Sequence, residues 1–141
     1  LPICDNGRTP MQWDASHNAG FTEGEPWIGV CDNYETVNAR AALDDPDSVF
    51  YTYQSLISLR KTLPVLTWGD YEDLLPEHPS LWCYRRQWQG QTLMVAANLS
   101  NTPQEWQADA LSDKSQVLMS NYPAPQTTSL RPFEAVWWLQ Q

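Results

Sequence analysis

The 141-residue chain predicts a mostly β fold with an N-terminal α/loop segment, closing in an antiparallel β-sandwich. Three observations carry that expectation. The first 47 residues show little hydrophobic periodicity and are punctuated by Gly, Pro, Asn and Asp. A single helical period follows over 45–62, and from Val65 onward the period becomes two. Short alternating runs with frequent turn signals and no helix between them describe a small antiparallel sheet or sandwich. The change of character near 62–66 divides the chain into segments 1–62 and 63–141.

The first segment is a long irregular stretch, marked by Asp5-Asn6-Gly7, Thr9-Pro10, Asn18-Ala19-Gly20 and Glu23-Gly24-Glu25-Pro26. More than about 15 irregular residues in a compact domain is unusual and is normally functional or incomplete. Trp13, Phe21, Trp27 and Ile28 lie within it, so this loop is expected to pack against something. A short helix fits 37–43. The main helix follows, with Asp45 as cap, Pro46 in the first turn and Asp47 at the positive end of the dipole. Val49, Phe50, Tyr53, Leu56, Ile57 and Arg60 recur at helical spacing, and Pro64 ends the element. The Asp44-Asp45-Pro46-Asp47 cluster thus reads as a helix start rather than a calcium loop.

In the second segment, 81–88 alternates faces, Gln89-Gly90 turns the chain and 91–97 returns, a hairpin pattern. Further strands are expected at 65–74, 104–107, 116–120 and 133–139. The last of these is strongly apolar and should be central or covered, because such a strand at an open edge aggregates.

Composition limits the function. Eight Lys and Arg against 17 Asp and Glu leave a net charge of −9, which argues against nucleic acid or an anionic membrane as partner. No apolar run reaches the roughly 20 residues that span a bilayer. The chain is also short of the roughly 200–250 residues of a complete (β/α)₈ barrel. It opens on Leu1 rather than Met, and a piece of a longer protein is the expectation. Cys4, Cys31 and Cys83 form neither a disulfide framework nor a zinc pattern, and read as free thiols of a cytoplasmic protein. No cofactor motif is present. His17 and His78 stand alone in turn contexts and read as surface or hydrogen-bonded residues. Asn98-Leu99-Ser100 is a formal glycosylation sequon, meaningful only on a secreted chain. Trp82, Trp137 and Trp138 read as core residues, while loop-borne Trp13 is the best tryptophan for a ligand. Arg8 offers planar, bidentate hydrogen bonding to vicinal hydroxyls or a carboxylate, though composition alone describes it as a solvated loop charge.

The string Asp5-Asn6-Gly7-Arg8-Thr9-Pro10-Met11-Gln12-Trp13-Asp14, then Asn18-Ala19-Gly20-Phe21 and Pro26-Trp27-Ile28, resembles the oligo-1,6-glucosidase-like enzymes of the α-amylase superfamily. The similarity continues through 47–54 and 56–61, and into 66–71, 81–86 and 130–138. The resemblance implies the last loop and final helix of a (β/α)₈ barrel in 1–62 and a C-terminal antiparallel β-domain in 63–141. It implies a retaining α-glucosidase acting on an α-glucoside or a phosphorylated disaccharide, whose catalytic carboxylates precede this sequence. The chain itself is then expected to have no catalytic or metal-binding residues. Arg8 matches the arginine that the family places at the substrate site. Just upstream the family commonly reads Ser-Arg-Asp-Asn, where this sequence has Ile3 and Cys4 before Asp5, so residues 1–4 look foreign. A helix 45–62 without its barrel is expected to self-associate. The alternative expectation is a stand-alone carbohydrate-binding or structural β-module.

Overall fold

The computed structural model describes residues 7–106, 111 and 114–141. It divides into two compact units, within Leu1–Ser58 and Leu59–Gln141. Ile3 and Cys4 lie outside the described residues.

The first unit contains a 3₁₀ turn at His17–Gly20, helix α1 (Ala39–Asp44) and most of helix α2 (Val49–Thr62), which continues into the second unit. Asn38 starts α1, its Oδ1 accepting the Ala41 N–H at 2.8 Å. Helix α2 begins later than 45. Asp45 instead forms a local turn in which its carboxylate accepts the Asp47 N–H at 2.9 Å, and the helix proper opens at Val49. Val49, Phe50, Tyr53 and Ile57 line one face of α2 and are all exposed.

The second unit is antiparallel throughout. Its main sheet has the order β1-β2-β3-β7-β5, where β1 is Asp70–Asp73, β2 Leu81–Trp88, β3 Gln91–Asn98, β5 Gln116–Ser120 and β7 Ala135–Gln140. Two short strands, β4 (Gln104–Glu105) and β6 (Ser129–Leu130), pair separately. The hairpin falls where periodicity places it, with Gln89 at φ 44° and Gly90 at φ 83° in the turn. The apolar strand β7 lies between β3 and β5, inside the sheet, as its composition requires.

Alternation sorts the sheet residues onto two cores. Leu81, Cys83, Met94, Ala96, Val136 and Trp138 form one face and pack with Trp106 and Leu130. Leu93, Val95 and Leu139 form the other, with Val65 and Leu66 against them. Because both faces are covered, Leu93-Met94-Val95-Ala96 is buried without a break. Burial pushes the Cys83 thiol up to about 11, so it serves as an inert apolar group.

The span 65–74 is not one strand. Val65–Trp68 is a single helical turn, α3, and only Asp70–Asp73 is extended. Gly69 joins them, since a Cβ there would sit 2.5 Å from the Val65 carbonyl oxygen. The Arg86 guanidinium then donates to the carbonyls of Leu66 (2.8 Å) and Gly69 (2.7 Å), satisfying orphan acceptors at the end of α3. The expected strand 133–139 starts at Ala135, because Phe133 has φ 56°, a left-handed value that breaks extension. Of 104–107, residues 104 and 105 are extended, and Gln107 lies outside the described residues. All four residues of edge strand β1 are exposed.

Candidate functional site

The Arg8–Asp14 string is held from two sides by backbone hydrogen bonds. On one side, Asn18, Ala19 and Gly20 follow one another in left-handed conformation, at φ 52°, 56° and 67°. This turns the buried Ala19 carbonyl back onto the N–H groups of Trp13 (2.8 Å) and Asp14 (3.3 Å). Gly20 is needed twice over, for its positive φ and because a Cβ would lie 2.8 Å from the Asp14 Oδ1. On the other side, the carbonyls of Gln12 and Trp13 accept the N–H groups of Ala39 (2.9 Å) and Arg40 (3.0 Å), which open α1 and have no partner within it. The Gln12 side chain donates to the Val37 carbonyl and to Asn33 Oδ1.

The Asp14 carboxylate accepts from the Ser16 hydroxyl and backbone N–H, and these bonds favour its ionised form and hold its pKa below the usual carboxylate range. Asp14 is therefore part of the loop's framework.

Arg8, the arginine singled out from sequence, stands exposed at the start of this string. Its guanidinium carbon lies 5.8 Å from the ring centroid of Trp27, within cation–π range. Trp27 itself is 82% exposed. The turn before it is pinned by the Asn18 amide, which donates to the carbonyls of Thr22 (3.1 Å) and Gly24 (2.7 Å). Sequence reasoning placed Trp27 in a packed loop and missed its pairing with Arg8. Its position directly after Pro26, in a Gly- and Glu-rich turn, was the only signal. Trp13 is half exposed.

The other polar clusters are structural. Glu134, buried at 1% exposure, accepts the Arg131 backbone N–H (2.7 Å) and the Nε–H (2.9 Å) and one terminal N–H (2.7 Å) of its guanidinium. These bonds hold the Glu134 carboxyl below its ordinary range. Arg131 also lies over the Tyr122 ring at 4.4 Å. Buried Asn98 donates to the carbonyls of Thr102 and Arg131, and its Oδ1 accepts from Ser100. The sequon asparagine is thus fully committed to the β-domain. His78 accepts the N–H groups of Ser80 and Leu81 through Nδ1, the hydrogen-bonded role expected of it. Trp138 is buried against Trp106, ring centroids 5.4 Å apart, whereas Trp82 is half exposed beside Tyr84. Among the described residues no group of three or more His, Cys, Asp or Glu could hold a metal ion. No helix among them is long and apolar enough to cross a membrane.

Two family models match in succession. Residues 3–69 match the α-amylase catalytic domain, and residues 71–137 match the maltogenic amylase C-terminal domain. The chain is 61% identical over 97% of its length to trehalose-6-phosphate hydrolase of Escherichia coli strain K12. It is 48% identical over 97% of its length to an oligo-1,6-glucosidase of Heyndrickxia coagulans. It covers 26% and 25% of these two proteins, about a quarter of their length. The crystal structure of Bacillus licheniformis trehalose-6-phosphate hydrolase superimposes with a TM-score of 0.91 at 37% identity, over 99% of this chain and 27% of that one.

Proposed function

The chain belongs to the α-amylase family of glycoside hydrolases, and from that premise we propose that it is the C-terminal portion of a cytoplasmic α-glucosidase that hydrolyses trehalose 6-phosphate to glucose and glucose 6-phosphate. The observation that carries this reading is the 61% identity to the Escherichia coli enzyme over almost the whole chain. In this reading residues 1–62 supply the active-site loop and final helix of the barrel, and 63–141 the C-terminal β-domain. Retaining hydrolysis needs a nucleophile and an acid/base roughly 5–5.5 Å apart. That pair belongs to the part of the barrel that precedes this sequence. Arg8 is the substrate-binding residue of this chain, shaping the pocket around the leaving-group sugar with a planar donor fork.

Two measurements test this. The purified 141-residue chain releases no glucose from trehalose 6-phosphate above a buffer blank; activity that follows the chain through a second column overturns the assignment. A chimera carrying this chain in place of the matching segment of the Escherichia coli enzyme hydrolyses trehalose 6-phosphate. A folded chimera that cleaves isomaltose instead moves the assignment to the oligo-1,6-glucosidases. The exposed face of α2 supports a further expectation, that copies of the isolated chain associate through it. Light scattering of a strict monomer removes that point.

A further inference from the structure

Pro64 brings no N–H to the end of α2 and its ring opposes continuation, so the helix ladder does not guide the chain beyond Leu63. Three features of the second unit nonetheless fix 63–69 on the sheet. Leu59 and Leu63 pack together with Val65 and Leu66 against Leu93, Val95 and Leu139. Arg86, on β2, donates from Nη1 to the Leu66 carbonyl (2.8 Å) and from Nε and Nη2 to the Gly69 carbonyl (3.1 and 2.7 Å). Gly69 lets the two segments close, since a Cβ there would also lie 3.1 Å from the Arg86 Cβ and 3.2 Å from the Gln87 nitrogen. Arg85 next to it pairs with the Glu72 carboxylate, whereas Arg86 points to the opposite face and its planar fork is taken up by main chain. The second unit accordingly begins at Leu59, inside α2 rather than after it. The last turn of this helix is part of the sheet's second core.

We propose that Arg86 is a clasp: it makes the last turn of α2 and α3 open only together with the sheet, so that the β-domain fastens the end of the helix that completes the barrel. The fastening of a barrel rests on the proposed function, in which 1–62 closes that barrel, while the clasp itself does not. It touches no substrate, so its effect falls on persistence of the fold rather than on binding or turnover.

The test has two arms. Amide hydrogen exchange of the 141-residue chain in low urea reads the clasp. The amides of Leu63, Trp68 and Gly69 donate to the carbonyls of Leu59, Pro64 and Val65. They are protected to the same degree, and with the same urea dependence, as the β3 amides of Met94 and Val95, whereas those of 53–57 in α2 are about tenfold or more less protected. In Arg86→Met, which keeps the stem and removes the donors, Leu63, Trp68 and Gly69 fall about tenfold or more below β3. One level of protection along α2 through Leu63 in the native chain, or amides that still match β3 in folded Arg86→Met, overturns the inference. Should Arg86→Met not fold, Arg86→Lys, with one compact ammonium in place of the fork, decides by the same outcomes. In the chimera with the Escherichia coli barrel, Arg86→Met lowers the temperature of half-inactivation by about 2–4 °C and leaves KM and kcat for trehalose 6-phosphate unchanged at room temperature. An unchanged half-inactivation temperature, or a changed KM or kcat, overturns the fastening role and leaves the proposed function standing. A folded chimera inert toward trehalose 6-phosphate removes the proposed function and the fastening with it, and the exchange arm still decides the clasp.

Discussion

The two units of the chain keep their shapes by different means. In the second, side chains do the work: Leu93, Met94, Leu130, Val136 and Trp138 are buried between layers, and the two faces of one sheet each have a core. In the first, the fixed elements are backbone groups and caps, such as the Ala19 carbonyl and Asn38, while Met11, Trp13, Phe21, Trp27, Val37, Leu43, Phe50 and Ile57 are exposed. Hydrogen bonds specify a conformation but add little net stability, because water offers the unfolded chain the same bonds. Burial of apolar surface supplies most of the driving force. The comparison teaches that a loop can be well defined and still depend on a covering surface for its stability.

The largest effect expected is in the second unit. Leu93→Ala removes a fully buried side chain and destabilises the β-domain by about 2–5 kcal/mol, read from urea denaturation. Glu134→Ala leaves the Arg131 backbone N–H without its acceptor and the guanidinium with only the Pro123 carbonyl among its described acceptors, and costs about 2–3 kcal/mol in the same assay. The acid side sharpens this. Glu134 is held below its ordinary value of 4.5, so the stability it contributes is complete above that pH and is lost as pH falls through the lowered folded-state value. The urea midpoint of the native chain falls with acid there, and that of Glu134→Gln falls less. Gly20→Ala, which meets both the positive φ and the Asp14 carboxylate, costs about 1–2 kcal/mol in the first unit. It shows as faster exchange of the Trp13 and Asp14 amides while the β-domain amides are unchanged. The smallest effect is at Phe50→Ser on the open face of α2, within about 0.5 kcal/mol when read at a chain concentration low enough that copies do not associate. A loss above 2 kcal/mol there breaks the contrast, since it means that this face is already packed in the isolated chain.

How much of this was legible in the sequence follows the same division. The hairpin Leu81–Trp88 with Gln91–Asn98 was readable because alternation and the Gln89-Gly90 turn agree. Strand β5 and the interior place of β7 were readable for similar reasons. Residues 65–68 were misread, because a short apolar run fits a strand or a buried helical turn equally well and the Arg86 contacts that cap it come from far along the chain. Strand β6 was invisible, since two residues paired with Gln104 and Glu105 far back along the chain leave no local pattern. The start of α2 slipped because Asp45 satisfied a nearer N–H first. At the candidate site, composition left Arg8 an ordinary loop charge and only the resemblance marked it for substrate. The resemblance did not reach Trp27, because its contact with Arg8 joins two irregular segments.

Strand β1 carries Asp70, Glu72 and Asp73 among its four exposed residues. Its outer side is a row of backbone groups that a neighbouring molecule's strand could zip onto; Glu72 is paired with Arg85, and a second copy arriving there brings the same carboxylates of Asp70 and Asp73. Near neutral pH that repulsion keeps concentrated stocks from extending sheet to sheet. Replacing Asp70 and Asp73 by asparagine removes that guard, so turbidity of the doubly substituted chain on standing starts from this strand and subsides when Tyr71 is also replaced by lysine.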